Sequence, residues 1–230
     1  MLAILRAPGV LPVFLASCVA RLPMGALGLL LVLHTHDLTG SYGSGGLATG
    51  AYLLALGVSS PVLARVVDRR GQTVVLRAGG LVGAGAIAAL ALLPDDAPFA
   101  AILAAAALAG LGQPPIGACM RALWPELLKG DTGRHAAYSL EGVVTEIVYM
   151  AGPVVIVGGI GSWSLRAALV FCAATVLVGN FAFSLHTASR GWRPQQDAAP
   201  GLAGALRGSG VRVLVAVFLL AGLGLGAVEV

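Results

Sequence analysis

Seven long apolar runs fill this 230-residue chain, and its charges fall almost entirely in the gaps between them. An α-helix needs about 20 consecutive apolar residues to cross the hydrocarbon core of a bilayer. Within lipid, backbone N–H and C=O groups must be satisfied inside the protein, so runs of this length are helices rather than open strands. The expected fold is therefore all-α, a polytopic transmembrane helix bundle whose principal partner is the lipid bilayer. Seven spans leave no room for a separate soluble domain, so any function belongs to the membrane-embedded part.

Composition excludes the main soluble classes. Hydrophobic residues make up 58% and charged residues 10%, with a mean hydropathy of +0.92; soluble domains carry about 25% charged residues. The net charge of +4 and pI near 9.3 do not indicate nucleic acid, because the basic residues sit at helix ends and form no single patch. Cys18, Cys119 and Cys172 lie on different apolar runs, without disulfide or metal-ligand spacing. They read as small packing residues. The first run is too long for a signal peptide, is interrupted by Arg21 and lacks a following cleavage site, so it reads as a retained span.

The spacing predicts spans at 10–33, 45–66, 74–93, 98–120, 137–160 and 165–185. Residues 1–186 thus form a six-helix bundle, 187–210 a polar linker with a short surface helix near 201–207, and 211–230 the start of a seventh helix. Asp37, Asp95 and Asp96 mark the connections on one side. Arg6, Arg65, Arg69, Arg70, Arg77, Arg121, Lys129, Arg134, Arg190, Arg193, Arg207 and Arg212 fall on the other. The positive-inside rule assigns that basic side, and with it the amino terminus, to the cytoplasm of a cell-membrane protein.

Within the spans, Gly46/Gly50 and Gly79/Gly83 have the small-xxx-small spacing that lets helix backbones approach closely. Pro23, Pro61, Pro114, Pro115 and Pro153 are expected to shape their helices. The exceptional residues are charged. Arg21 lies about 16 Å along the first helix at 1.5 Å per residue, close to mid-membrane. Glu146 is nearly as deep along the fifth, and Glu141 falls nearer the basic side; with Arg21 both are candidate cavity or coupling residues. An isolated charge at that depth costs at least about 2.5–3.5 kcal/mol, so Arg21 and Glu146 are expected to pair beside a central aqueous cavity. Gln113 is a neutral candidate for the cavity wall, Glu229 a membrane-depth acid on the seventh helix, and Asn180 an interhelical hydrogen-bond residue. His34, His36, His135 and His186 fall at helix ends as interface or solvent residues. Neither a metal site nor a cofactor is expected. The nucleotide-binding pattern G-x-x-x-x-G-K-[ST] does not occur, so ATP hydrolysis is not expected either.

The second and third spans are joined by Ala64-Arg-Val-Val-Asp68-Arg69-Arg70-Gly71-Gln72-Thr73. This segment resembles the loop signature of the major facilitator superfamily, G-x-x-x-D-R/K-x-G-R/K-R/K. Asp68, Arg69 and Gly71 match in register, while Ala64, Gln72 and Thr73 depart from it. Gly71 permits the tight turn, and Asp68 can pair with Arg69, Arg77 or a cation of a second bundle. The resemblance implies the amino-terminal six-helix half, plus the start of helix 7, of a twelve-helix transporter, an apparent truncation. It also implies a latch at Asp68 and Arg69 on the cytoplasmic side.

Gly152-Pro153, followed by Gly158-Gly159, resembles a helix-5 motif of proton-coupled drug exporters in that superfamily, although the glycine spacing differs and the fourth helix lacks their membrane arginine. The resemblance implies a secondary transporter, not an enzyme, that works by alternating access. The resemblance further implies export of small organic compounds on an ion gradient, with protons the candidate ion. Two other readings compete: a fragment that is non-functional alone or needs a second half-transporter, and an intramembrane serine protease. The peripheral histidines disfavour the protease, which needs a base at the depth of its nucleophile.

Overall fold

A computed structural model describes residues 2–128 and 130–193, together with 212, 213 and 217. The rest of the expected linker, its short helix near 201–207 and all but three positions of the expected seventh helix, Glu229 included, lie outside the described residues. No strand occurs among the described residues, and the element order is helical throughout.

The first span is two helices, α1 (Val10–Arg21) and α2 (Leu27–Thr39), joined by a 3₁₀ turn at Leu22–Gly25 and bent by 44°. Pro23 has no N–H to continue the ladder, which accounts for the break. The second span, α3 (Tyr42–Arg70), is 29 residues long and is started by Ser41, whose Oγ accepts from the Ser44 N–H at 3.3 Å. The third is α4 (Gln72–Leu92). The fourth is split into α5 (Phe99–Leu111) and α6 (Ile116–Leu127), with the Gly-Gln-Pro-Pro sequence at 112–115 unwound between them. The fifth, α7 (Asp131–Gly152), continues past Pro153 as a wider π-helical stretch, Pro153–Gly161. The sixth is α8 (Leu165–Leu185), followed by the short α9 (Thr187–Gly191).

By length and composition, five of these helices can cross a membrane, and the bent first pair makes a sixth. Several spans reach beyond their expected limits: the first runs to Thr39 and the fourth to Leu127. The second runs to Arg70, four residues past its expected end, and the fifth begins at Asp131, six residues before its expected start. The second and fifth spans gain polar turns of helix in this way. Asp131, in the first turn of α7, favours the positive end of the helix dipole there.

Glycines bring the helices together. A Cβ on Gly83 would lie 3.0 Å from the Gly112 carbonyl oxygen, and one on Gly79 would meet the same oxygen and Pro114 Cγ at 3.0 Å. The unwound part of the fourth span therefore rests directly on α4. A Cβ on Gly179 of α8 would come within 2.6 Å of Ala20 Cβ on α1. Gly46 and Gly50 have open space beside them among the described residues, where the second of the two glycine spacings is the one used for packing. The neighbouring Gly45 packs instead, its Cβ position lying 2.7 Å from the Val32 carbonyl oxygen.

The apolar core has two parts. One gathers Leu30, Leu31, Ile87, Leu90, Ile102 and Leu169. The other, on the side of the α3–α4 turn, gathers Val13, Leu76, Leu123, Phe183 and the tilted pair Phe14–Trp124, whose ring centroids are 5.9 Å apart. Only 17% of the apolar window is buried in the second and fifth spans, against 50–56% in the third, fourth and sixth. Among the described residues the second and fifth spans are therefore the least covered.

Candidate functional site

Arg21 is the last residue of α1, at the point where the first span breaks. Its Nε and Nη2 donate to Ser17 Oγ, one helical turn earlier, at 3.1 and 2.6 Å. Its Nη2 also donates to Glu141 Oε1 of α7 at 2.5 Å. The second oxygen, Oε2, accepts no hydrogen bond among the described residues and lies 3.8 Å from Arg121 Nη1 of α6. The Arg21 and Glu141 side chains are each 4% exposed and that of Arg121 is 57% exposed. Gly117 makes room for the convergence: a Cβ there would lie 3.7 Å from Arg121 Nη1 and 3.9 Å from Arg21 Nη1. Three spans thus meet at one carboxylate between two guanidinium groups, a cluster with one net positive charge.

The expected partner of Arg21 was Glu146, and that pairing is not formed. Five residues separate the two glutamates, which places them about 140° apart around a helix of 3.6 residues per turn. One faces α1 and the other is exposed. Glu141, expected nearer the basic side and already a candidate for the cavity, takes the partner's place. With the helix starting at Asp131, Glu141 lies about 15 Å along it. Arg121 escaped notice because α6 runs on to Leu127 rather than ending at residue 120, so a residue assigned to a loop is helical and within reach of Glu141.

Gln113 lies in the break of the fourth span, buried, and its Oε1 has no partner among the described residues. It sits between the carboxyl end of α5 and the amino end of α6. Discontinuous helices of this kind put partial charges and a free amide beside a mid-membrane site. Gly152 packs against the other break: its Cβ position lies 3.3 Å from the Leu22 carbonyl oxygen, and that of Gly25 lies 2.8 Å from Tyr149 Cα. Pro153 follows at once and opens the π-helical stretch. The Gly-Pro pair therefore marks where the fifth span crosses the bend of the first.

At the α3–α4 turn, Gly71 has φ +87°, a region that side chains disfavour. Asp68 and Arg69 are exposed, and no ion pair among the described residues includes either of them. Arg77 points elsewhere, its Nε donating to Ser184 Oγ on α8 at 3.0 Å. On the opposite side, Arg166 pairs with Asp95 and also donates to the Leu93 carbonyl at 3.2 Å.

Two further assignments change. His34, expected at a helix end, is inside α2 and buried, its Nε2 3.0 Å from the Leu90 carbonyl oxygen. Asn180 bonds within its own helix, Nδ2 donating to the Val176 carbonyl at 2.8 Å, and its contact with α4 is steric, against Gly80.

A multi-pass helical bundle with two broken spans and a buried Arg21–Glu141 pair between its first and fifth spans is the architecture of an integral membrane protein. The family model described as the Major Facilitator Superfamily matches residues 13–230. The chain belongs to that superfamily, and with it to transporters rather than to an enzyme family. No individual curated protein matches the chain.

Proposed function

We propose that this superfamily member is a secondary transporter of the cell membrane, with a cytoplasmic amino terminus, that exports small organic compounds on an ion gradient. The observation that carries the coupling is the buried Arg21–Glu141 pair between the bend of the first span and the fifth. A proton is the ion this chemistry suits. Protonation of Oε1 or Oε2 removes the charge that compensates Arg21 and Arg121, and the link between the two spans weakens. Gln113, beside the break in the fourth span, offers a neutral polar contact to the transported compound. Asp68 and Arg69, held at the α3–α4 turn by Gly71, act as the latch on the cytoplasmic side, and Arg77 braces that turn against α8. The export direction rests on Gly152-Pro153 at the crossing of the first and fifth spans.

The test uses cells depleted of their own exporters and expressing the full chain, and follows accumulation of a panel of fluorescent organic cations, anions and neutral compounds. At least one compound accumulates less than in non-expressing cells. The difference disappears with a protonophore or with Glu141→Gln. Equal accumulation across the panel, together with no uptake into inverted vesicles under an imposed pH gradient, rejects export. Export that survives collapse of the gradient rejects the coupling.

A further inference from the structure

A second polar feature lies away from the buried pair, where the α3–α4 turn faces α9. It is an open cavity of about 350 Å³ lined by Arg70, Arg77, Arg190, Arg193, Thr73 and Trp192, with no carboxylate among the described residues of its lining. Among the described residues the ion pairs involve Arg21, Arg121, Arg134 and Arg166, and none of these four arginines. Four like charges converging on one concavity repel one another unless an anion sits between them.

The cavity is also built rather than accidental. Its floor is tied together: Ser189 Oγ donates to Gln72 Oε1 at 3.4 Å, and Gln72 Nε2 donates to the Cys119 carbonyl at 3.1 Å, both residues being buried. Arg77 is aimed by its Nε bond to Ser184, which leaves both Nη groups unspent. Arg193 is bent back on its own turn, Nη1 donating to the Arg190 and Trp192 carbonyls at 3.2 Å. The first turn of the 21-residue α4 opens into the same space with no side-chain cap on its N–H groups. Uncapped amides at a positive helix end, together with forked guanidinium donors, match the several acceptor oxygens of a phosphate group. The half-buried Trp192 sits where spans end, the level at which aromatic side chains border lipid headgroups.

We infer that this cavity binds a phosphate group, carried either by an anionic phospholipid headgroup or by a soluble phosphate. The site shares Gly71 and Arg77 with the latch proposed above, but its binding is measured without transport. Full-length protein in neutral detergent is titrated with phosphatidylglycerol, with phosphatidylcholine and with inorganic phosphate at constant ionic strength. Retained adducts are counted by native mass spectrometry, and the thermal midpoint is followed. Preference for phosphatidylglycerol over phosphatidylcholine identifies the lipid source; stabilisation by inorganic phosphate without that preference identifies the soluble one. In either case Arg190→Gln/Arg193→Gln, both exposed positions, weakens binding at least about tenfold, the size expected for two arginine contacts with an anionic headgroup. Arg6→Gln/Arg65→Gln removes the same charge outside the cavity and leaves binding unchanged. Absence of both preferences overturns the inference, as does equal loss in the two double variants.

Discussion

Arg21 on the first span and Glu141 on the fifth, 120 residues apart in sequence, share a 2.5 Å hydrogen bond in which both side chains are almost wholly removed from solvent. A charge pair in such surroundings gains little over an apolar pair of similar volume, but either partner left alone is costly. The pair therefore holds the bend of α1 against α7 with a stringency that a surface ion pair does not reach.

Glu141→Ala should destabilise the protein by roughly 3–5 kcal/mol, the cost of stranding a buried charge. Glu146→Ala, at an exposed position on the same helix, should stay within about 0.5 kcal/mol. Chemical unfolding of the purified protein in detergent measures both, and equal effects would reject the assignment of Glu141 as the partner.

Arg121 contributes less. Its contact with Glu141 is longer, at 3.8 Å, and its side chain is largely exposed. A double-mutant cycle of Arg121→Gln with Glu141→Gln should give a coupling of about 1 kcal/mol or less, the range of solvent-exposed pairs. The corresponding cycle with Arg21→Gln should give a clearly larger value.

Gln113→Ala should impair transport without a matching loss of stability. The Oε1 of Gln113 has no partner among the described residues to abandon, and removing an unsatisfied buried acceptor is close to neutral for folding. The measurement is the flux of an exported compound beside the thermal midpoint of the same preparation. A midpoint that falls in step with the flux would make Gln113 a packing residue.

Glycine substitutions should divide sharply. Gly25→Ala places a methyl group 2.8 Å from Tyr149 Cα, an overpacking against main chain worth about 1–3 kcal/mol or more. Gly46→Ala and Gly50→Ala meet nothing within 4 Å and should be neutral or stabilising by up to about 1 kcal/mol through helix propensity. Expression level and melting of the three variants decide this.

Sidedness is testable because the native thiols are a quiet background: Cys119 and Cys172 are buried and Cys18 is half-buried. Arg70→Cys should react with a membrane-impermeant maleimide only after cells are opened, and Ser41→Cys in intact cells. The reverse pattern would invert the orientation proposed from the arginine distribution.

The spans were legible because apolar length is a strong signal, and Arg21 because a charge inside such a run is conspicuous. The partner of Arg21 was not, since the pairing depends on where α7 begins. Asp131 to Ala136 is polar enough to read as loop, yet it is helical, and those six residues decide which glutamate lies level with Arg21. The same ambiguity at Trp124-Pro125-Glu126 hid Arg121. Glycine spacing was equally double-edged. Gly79 and Gly83 meet the break in the fourth span whereas Gly46 and Gly50 meet nothing among the described residues, and the spacing alone carries no information about which face has a neighbour. The turn at Gly71 was legible because the positive φ it adopts is a property of the residue itself.

Where Gly25 abuts Tyr149 and Gly83 abuts Gly112, the opposing surface is peptide backbone. A crowded side chain can be relieved by trimming its neighbour, but every amino acid carries the same backbone. Changes at these crossings therefore have no second-site suppressor at the residue they touch, and a genetic screen for compensating mutations should return only true revertants or distant shifts of a whole helix.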